Sequence, residues 1–147
     1  MLAMMGMLAG IDYLSKVYSS SAESGDRFIE TVKDLCNINN DDSEAMYQFR
    51  CALVHSVGLS VVSTRSRYRK GAQFNFEVTD EQSAPLIQKL ADISTELKYR
   101  ISYWELKKTF LKVTNEIENI ARQVNHHKNS HVVKMIGQMH IEKLLKR

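Results

Sequence analysis

The sequence predicts an all-α fold, a bundle of about five helices with one inserted β-hairpin. Three observations carry this expectation. One proline and six glycines in 147 residues leave room for long uninterrupted helices and supply too few turn signals for an all-β sandwich. Apolar residues return every three or four positions over most of the chain, the spacing of one helix face. Only over residues 59–78 does the pattern become β-branched and alternating. At 44% hydrophobic and 25% charged, the composition is that of one globular domain spanning 1–147, able to bury a core without disulfides or metal. Collagen-like, proline-rich and low-complexity classes are excluded.

Residues 2–18 read as the first helix, with Leu2, Met5, Leu8, Ile11 or Asp12, Leu14, Val17 and Tyr18 on one broad face. The apolar run Met1–Ile11 has no basic residue before it, unlike a signal peptide. Asp12 stops it far short of the roughly 20 residues that span a bilayer. A buried helix is expected, and the abrupt apolar start also fits an internal start. After a serine-rich loop, Asp26 is placed to cap a second helix, Arg27–Cys36, with Phe28, Val32 and Leu35 inward. Asp42 or Ser43 then caps a third helix through about Val57, ended by Gly58, with Met46, Phe49, Leu53, Val54 and Val57 at helical spacing.

Leu59–Thr64 and Gln73–Val78 predict a β-hairpin, with Phe74, Phe76 and Val78 on one side and a basic turn, Arg65–Gly71, between the strands. Asp80–Pro85 is a boundary, and Leu86–Ile93 reads equally as a short helix or a strand. From about Ser94 the chain is expected to be helical again. Leu106, Phe110, Val113, Ile117, Ile120 and Val124 form a heptad-like stripe that packs against the other helices. Asn125–Asn129 breaks it, and Ser130 caps a last helix, His131–Lys146, so that C-terminal helices fill about 94–146.

Charge is distributed unevenly: residues 1–64 carry 4 basic and 8 acidic side chains, and residues 98–147 carry 11 and 4. Cys36 and Cys51 lie 15 apart with no CxxC, which is neither a disulfide framework nor a zinc site and fits a reducing cytoplasm. A cytoplasmic location is therefore expected, with no cofactor, no metal and no membrane association.

The sharpest chemical candidate is Arg50-Cys51-Ala52-Leu53-Val54-His55. A histidine can take a proton from a ribose 2′-hydroxyl or give one to the leaving oxygen. A fixed guanidinium can stabilise the extra negative charge on phosphorus. Spacing alone is also met by an exposed arginine and a histidine near a helix C-terminus. Five helical positions turn about 140°, so the two side chains meet only where the helix loosens near Gly58 or across the dyad of a dimer.

The surrounding residues add to this. Tyr47-Gln48-Phe49-Arg50-Cys51-Ala52-Leu53-Val54-His55-Ser56 resembles the Y-x-x-R-N-x-L-V-H helix of the HEPN superfamily. Gly25-Asp26-Arg27-Phe28-Ile29-Glu30 is similar to the opening of the second helix in a bacterial HEPN-like group. The resemblance covers about residues 1–78 and implies a helical bundle acting as a metal-independent endoribonuclease, in toxin–antitoxin or phage-defence systems. It implies Arg50 and His55 as catalytic residues with Tyr47, Cys51 and Ser56 beside them, a homodimer, and RNA and an antitoxin or other protein as partners. Cys51 stands where active relatives usually carry a polar residue, which marks the alternative: a non-catalytic RNA- or nucleotide-binding or partner-assembly module.

Arg65, Arg67, Tyr68, Arg69 and Lys70 form the candidate RNA-binding set. On a strand 65, 67 and 69 would point to one side with an aromatic beside them; a solvated hairpin tip is the other reading. His126, His127 and His131, with His140 further on, read as a polar inter-helix turn rather than a zinc site, because Asn129-Ser130 should break the helix between them.

Overall fold

The computed structural model describes residues 1–55, 58–65, 69–93 and 95–126 of the chain. Among them are four helices, α1 (Leu2–Tyr18), α2 (Ser24–Cys36), α3 (Asn40–His55) and α4 (Tyr103–His126). Four strands, β1 (Ser60–Val62), β2 (Gln73–Thr79), β3 (Ile87–Ile93) and β4 (Glu96–Ser102), lie between α3 and α4. They form one mixed sheet in the order β1-β2-β4-β3, with β2 and β4 parallel and the two outer pairings antiparallel. The fold is α/β. The expected all-α HEPN-like helical bundle is thus corrected: the hairpin is present as β1 and β2, but it is only half of a sheet.

The segment that overturns the bundle is β4. Leu97, Tyr99 and Ile101 face the core while Glu96, Lys98 and Arg100 alternate with them, the two-residue period of a strand buried on one side. The strand passes into α4 with no connecting loop, so its apolar residues merge in the sequence with the helical stripe that follows. Ser102 marks the change, its Oγ accepting the Glu105 amide at 3.4 Å. Trp104 Nε1 donates to the Asp80 carbonyl at 2.9 Å and pins the start of α4 beside the end of β2. Leu86–Ile93, ambiguous in sequence, is the edge strand β3, with an irregularity between Lys89 and Ala91.

The core lies where α3 presses onto the inner face of the sheet. Phe49 meets Phe76 at 5.1 Å between ring centroids, and Tyr99 stacks on Phe74 and Phe76 at 6.0 Å each. α3 also contacts α1 and α2 on its other side, and α4 packs on α1 and α2. It is therefore buried nearly all round, which is why Ser43, Glu44 and Gln48 are buried beside Ala45, Met46, Phe49, Ala52 and Leu53. Gln48 answers burial by donating to Ser63 Oγ at 3.2 Å, tying α3 to the end of the first strand. The opposite face of the sheet is polar, with Glu77 bridging Lys98 and Arg100.

Three local expectations change. α3 is capped by Asn39, whose Oδ1 accepts the Asp42 amide at 2.9 Å, and Ser43 is buried instead. α2 begins at Ser24 with Glu23 at its N-cap position, so Asp26 lies in its first turn. α1 has the expected bounds, but its buried face is Met4, Met7, Leu8, Ile11 and Ser15, and Leu2 is 84% exposed. Of the late stripe, Leu106, Val113 and Ile117 are buried on α4, while Val124's side chain lies outside the described residues. α4 continues through His126, past the expected break at Asn125, and the helix expected at His131–Lys146 lies outside the described residues.

Candidate functional site

Arg50 and His55 sit on the last turns of α3, and they meet within one chain. Arg50 Nη1 lies 3.1 Å from His55 Nε2. The divergence of about 140° holds for the Cβ atoms of an ideal helix. It does not hold for the tip of a long arginine reaching along the axis to a histidine at the helix end. The Gly58 amide donates to the Ala52 carbonyl at 3.4 Å, beside the same helix end. A dimer dyad is not needed to bring the pair together.

A third residue completes the constellation. Asp12, on α1, accepts from Arg50 Nη2 at 3.0 Å, and the side chains are 13% and 15% exposed. Burial, the largest influence, would lower the Arg50 pKa, but the Asp12 carboxylate, Cys51 and Tyr47 together outweigh it and raise the pKa above its ordinary value. His55 itself is exposed. Since a guanidinium has only donors, Nε2 is the accepting nitrogen when the two are hydrogen-bonded. The site thus offers one basic nitrogen next to an N–H donor array, with the cation's charge matched by Asp12.

Tyr47 connects this site to a second one. Its hydroxyl pKa is pushed up by burial and by Cys51, with Ser24 acting the other way. Its ring lies under Arg65 at 5.2 Å and beside Phe28 at 5.9 Å. Arg65 in turn holds Asp26 through Nη2 at 2.5 Å and Glu44 through Nε at 3.2 Å. An open cavity of about 420 Å³ lies over this group, lined by Glu23, Ser24, Gly25, Tyr47, Thr64 and Arg65. Gly25 permits the packing, because a Cβ there would fall 1.9 Å from Arg65 Nη1.

Of the expected comb, only Arg65 and Arg69 are among the described residues. β1 ends at Val62, so Arg65 and Arg69 are beyond the strand and follow no strand alternation. Arg69, with a positive φ of 43°, makes a two-pronged pair with Asp92 at 2.5 and 2.9 Å. Lys70 is exposed. Ser56, Arg67, Tyr68, His127, His131 and His140 lie outside the described residues, as does the side chain of His126. Among the described residues no group of three or more His, Cys, Asp or Glu could hold a metal, and no helix is long and apolar enough to cross a membrane.

Sequence reasoning treated Asp12 only as the stop of an apolar run. Its signal was isolation: it is the one charged side chain in residues 1–15, and a lone charge on a buried helix calls for a partner. Asp26 and Glu44 carried no such mark, being two among many exposed-looking acids. Comparison of the chain with protein-family models, curated proteins and solved structures finds no match. Neither ribonuclease activity nor a toxin–antitoxin role therefore draws support from relatives.

Proposed function

We propose that the protein cleaves RNA without a metal, with His55 moving the proton and Arg50 stabilising the charge on phosphorus. The observation that carries this reading is the 3.1 Å contact between Arg50 Nη1 and His55 Nε2 at an exposed helix end. The ribose 2′-oxygen attacks the adjacent phosphorus and its proton passes to His55 Nε2. The bond from phosphorus to the 5′-oxygen breaks, leaving a 2′,3′-cyclic phosphate. The 5′-oxygen takes its proton from the His55 imidazolium or from solvent. As charge grows on the non-bridging oxygens, Arg50 Nη1 turns its donor from the imidazole to the phosphoryl group.

Because Asp12 matches the Arg50 charge, this chemistry relies on the placement of donors rather than on net attraction. In this reading RNA is drawn in by Lys70 of the basic turn, whereas Arg65 is committed to Asp26 and Glu44 and Arg69 to Asp92. A homodimer remains a prediction about assembly in solution, separate from the integrity of the pair. A cytoplasmic site of action belongs to the same proposal, and the two free thiols, Cys36 and Cys51, support it.

The test is cleavage of RNA by purified protein in EDTA. The expected products end in a 2′,3′-cyclic phosphate, and His55→Ala lowers the rate at least about 100-fold while RNA affinity hardly moves. Folded wild-type protein that cleaves none of the RNAs offered would remove this reading and leave an RNA- or nucleotide-binding module.

A further inference from the structure

We infer that Asp12 is a positioning residue that orients Arg50 and, through it, fixes the tautomer of His55, in a carboxylate–guanidinium–imidazole relay. The consequence for activity rests on the reading above, whereas the geometry does not. A guanidinium is a rigid planar fork. With Nη2 held on Asp12 Oδ2 at 3.0 Å, the plane and direction of Nη1 are set, and Nη1 reaches His55 Nε2 at 3.1 Å. The other groups acting on Arg50 are Cys51 and Tyr47, so Asp12 is the carboxylate that holds it against burial.

The backbone of Asp12 belongs to a well-packed stretch of α1. It lies on α1 between Ile11 and Ser15, both fully buried, and Ser15 Oγ donates to the Asp12 carbonyl at 2.7 Å. A buried helix therefore carries the acceptor, and the arginine tip is referred to that helix rather than to its own flexible stem. The far end of the relay follows from donor chemistry. Arg50 can only donate, so the proton of neutral His55 is confined to Nδ1 and the lone pair stays at Nε2. In the proposed reaction that lone pair is the base.

An ion pair that merely staples α1 to α3 would affect stability and leave the histidine alone. The two roles separate in the nitrogen spectrum of His55, recorded with ¹⁵N-labelled histidine at pH 9 and assigned by loss of its signals in His55→Gln. The wild type is expected to show the Nδ1–H form. Asp12→Ala, and Asp12→Leu as a second variant that keeps an apolar side chain on α1, are expected to shift His55 toward the Nε2–H form. RNA cleavage by either variant should fall about 10- to 100-fold in kcat with KM nearly unchanged, the usual cost of a misplaced catalytic group. A wild type that carries Nε2–H overturns the inference without any variant. So does a folded Asp12 variant whose His55 keeps Nδ1–H. If the wild type cleaves no RNA, the tautomer measurement still decides the relay while the functional reading fails separately.

Discussion

Replacing Arg65 by methionine tests whether this residue is an anchor of the fold or a contact for RNA. The side chain is 13% exposed and neutralises two carboxylates, Asp26 and Glu44, that are 17% and 7% exposed. Removing one partner of a buried ion pair costs about 3–5 kcal/mol, because the remaining charge is left without compensation. The lower end applies here, since Asp26 keeps some contact with water, so about 3 kcal/mol is expected at pH 7. In a chain of this size that is a fall of about 6–12 °C in Tm. The pH dependence has a definite sign. Burial pushes the Glu44 carboxyl up and Arg65 pulls it back, with the balance still above the ordinary value. A carboxyl raised in the folded state takes up its proton there before it does in the unfolded chain, so folding gains stability as pH falls through that range. Without Arg65 the rise is larger, and the deficit of the variant should shrink between pH 7 and pH 5. Urea unfolding followed by circular dichroism at both pH values measures this directly. A deficit below about 1 kcal/mol, the size of a screened surface pair, would refute the burial argument. A deficit that grows toward pH 5 would refute the assignment to Glu44. Were Arg65 an RNA contact alone, stability would not change and only the salt dependence of binding would lose about one phosphate's worth.

Gly25→Ala should destabilise the protein, since the new Cβ meets Arg65 Nη1 at 1.9 Å and Tyr47 Cζ at 2.9 Å. Overpacking of about 1–3 kcal/mol then outweighs the ~1 kcal/mol helix gain of alanine. In the Arg65→Met background, where the Tyr47 contact remains but the nearer one is gone, the same change should cost less, and additive losses in the double-mutant cycle would show that the two positions are not in contact. Cys36 is half-buried beside α4, with its Sγ 3.9 Å from the Thr109 carbonyl, and desolvation pushes its thiol pKa up. Native alkylation at pH 8, read by peptide mass, should therefore modify Cys36 far more slowly than in denaturant; equal rates in both states would contradict its packing.

The sequence by itself determined the elements whose patterns are local. The bounds of α1, the pairing of β1 with β2 and the helix bearing Tyr47, Arg50, Cys51 and His55 were all legible from spacing and punctuation. The alternation of Leu97, Tyr99 and Ile101 was also present in the sequence. It was masked because β4 runs without a break into α4, and a period of two over seven residues is easily absorbed into a helical stripe. Which face of α1 is buried could not be read, because a nearly uniform apolar run carries no polar residues to mark its outer side. Tertiary structure alone decided the partners of the charges. Asp12 reaches Arg50 across 38 positions and Asp26 reaches Arg65 across 39. Such pairs have no spacing rule, since they depend on how α1, α2 and α3 pack rather than on any repeat within them. The same packing separates the two arginines that the sequence made look alike: Arg50 ends at an exposed histidine, and Arg65 ends between a buried carboxylate, Glu44, and a half-buried one, Asp26.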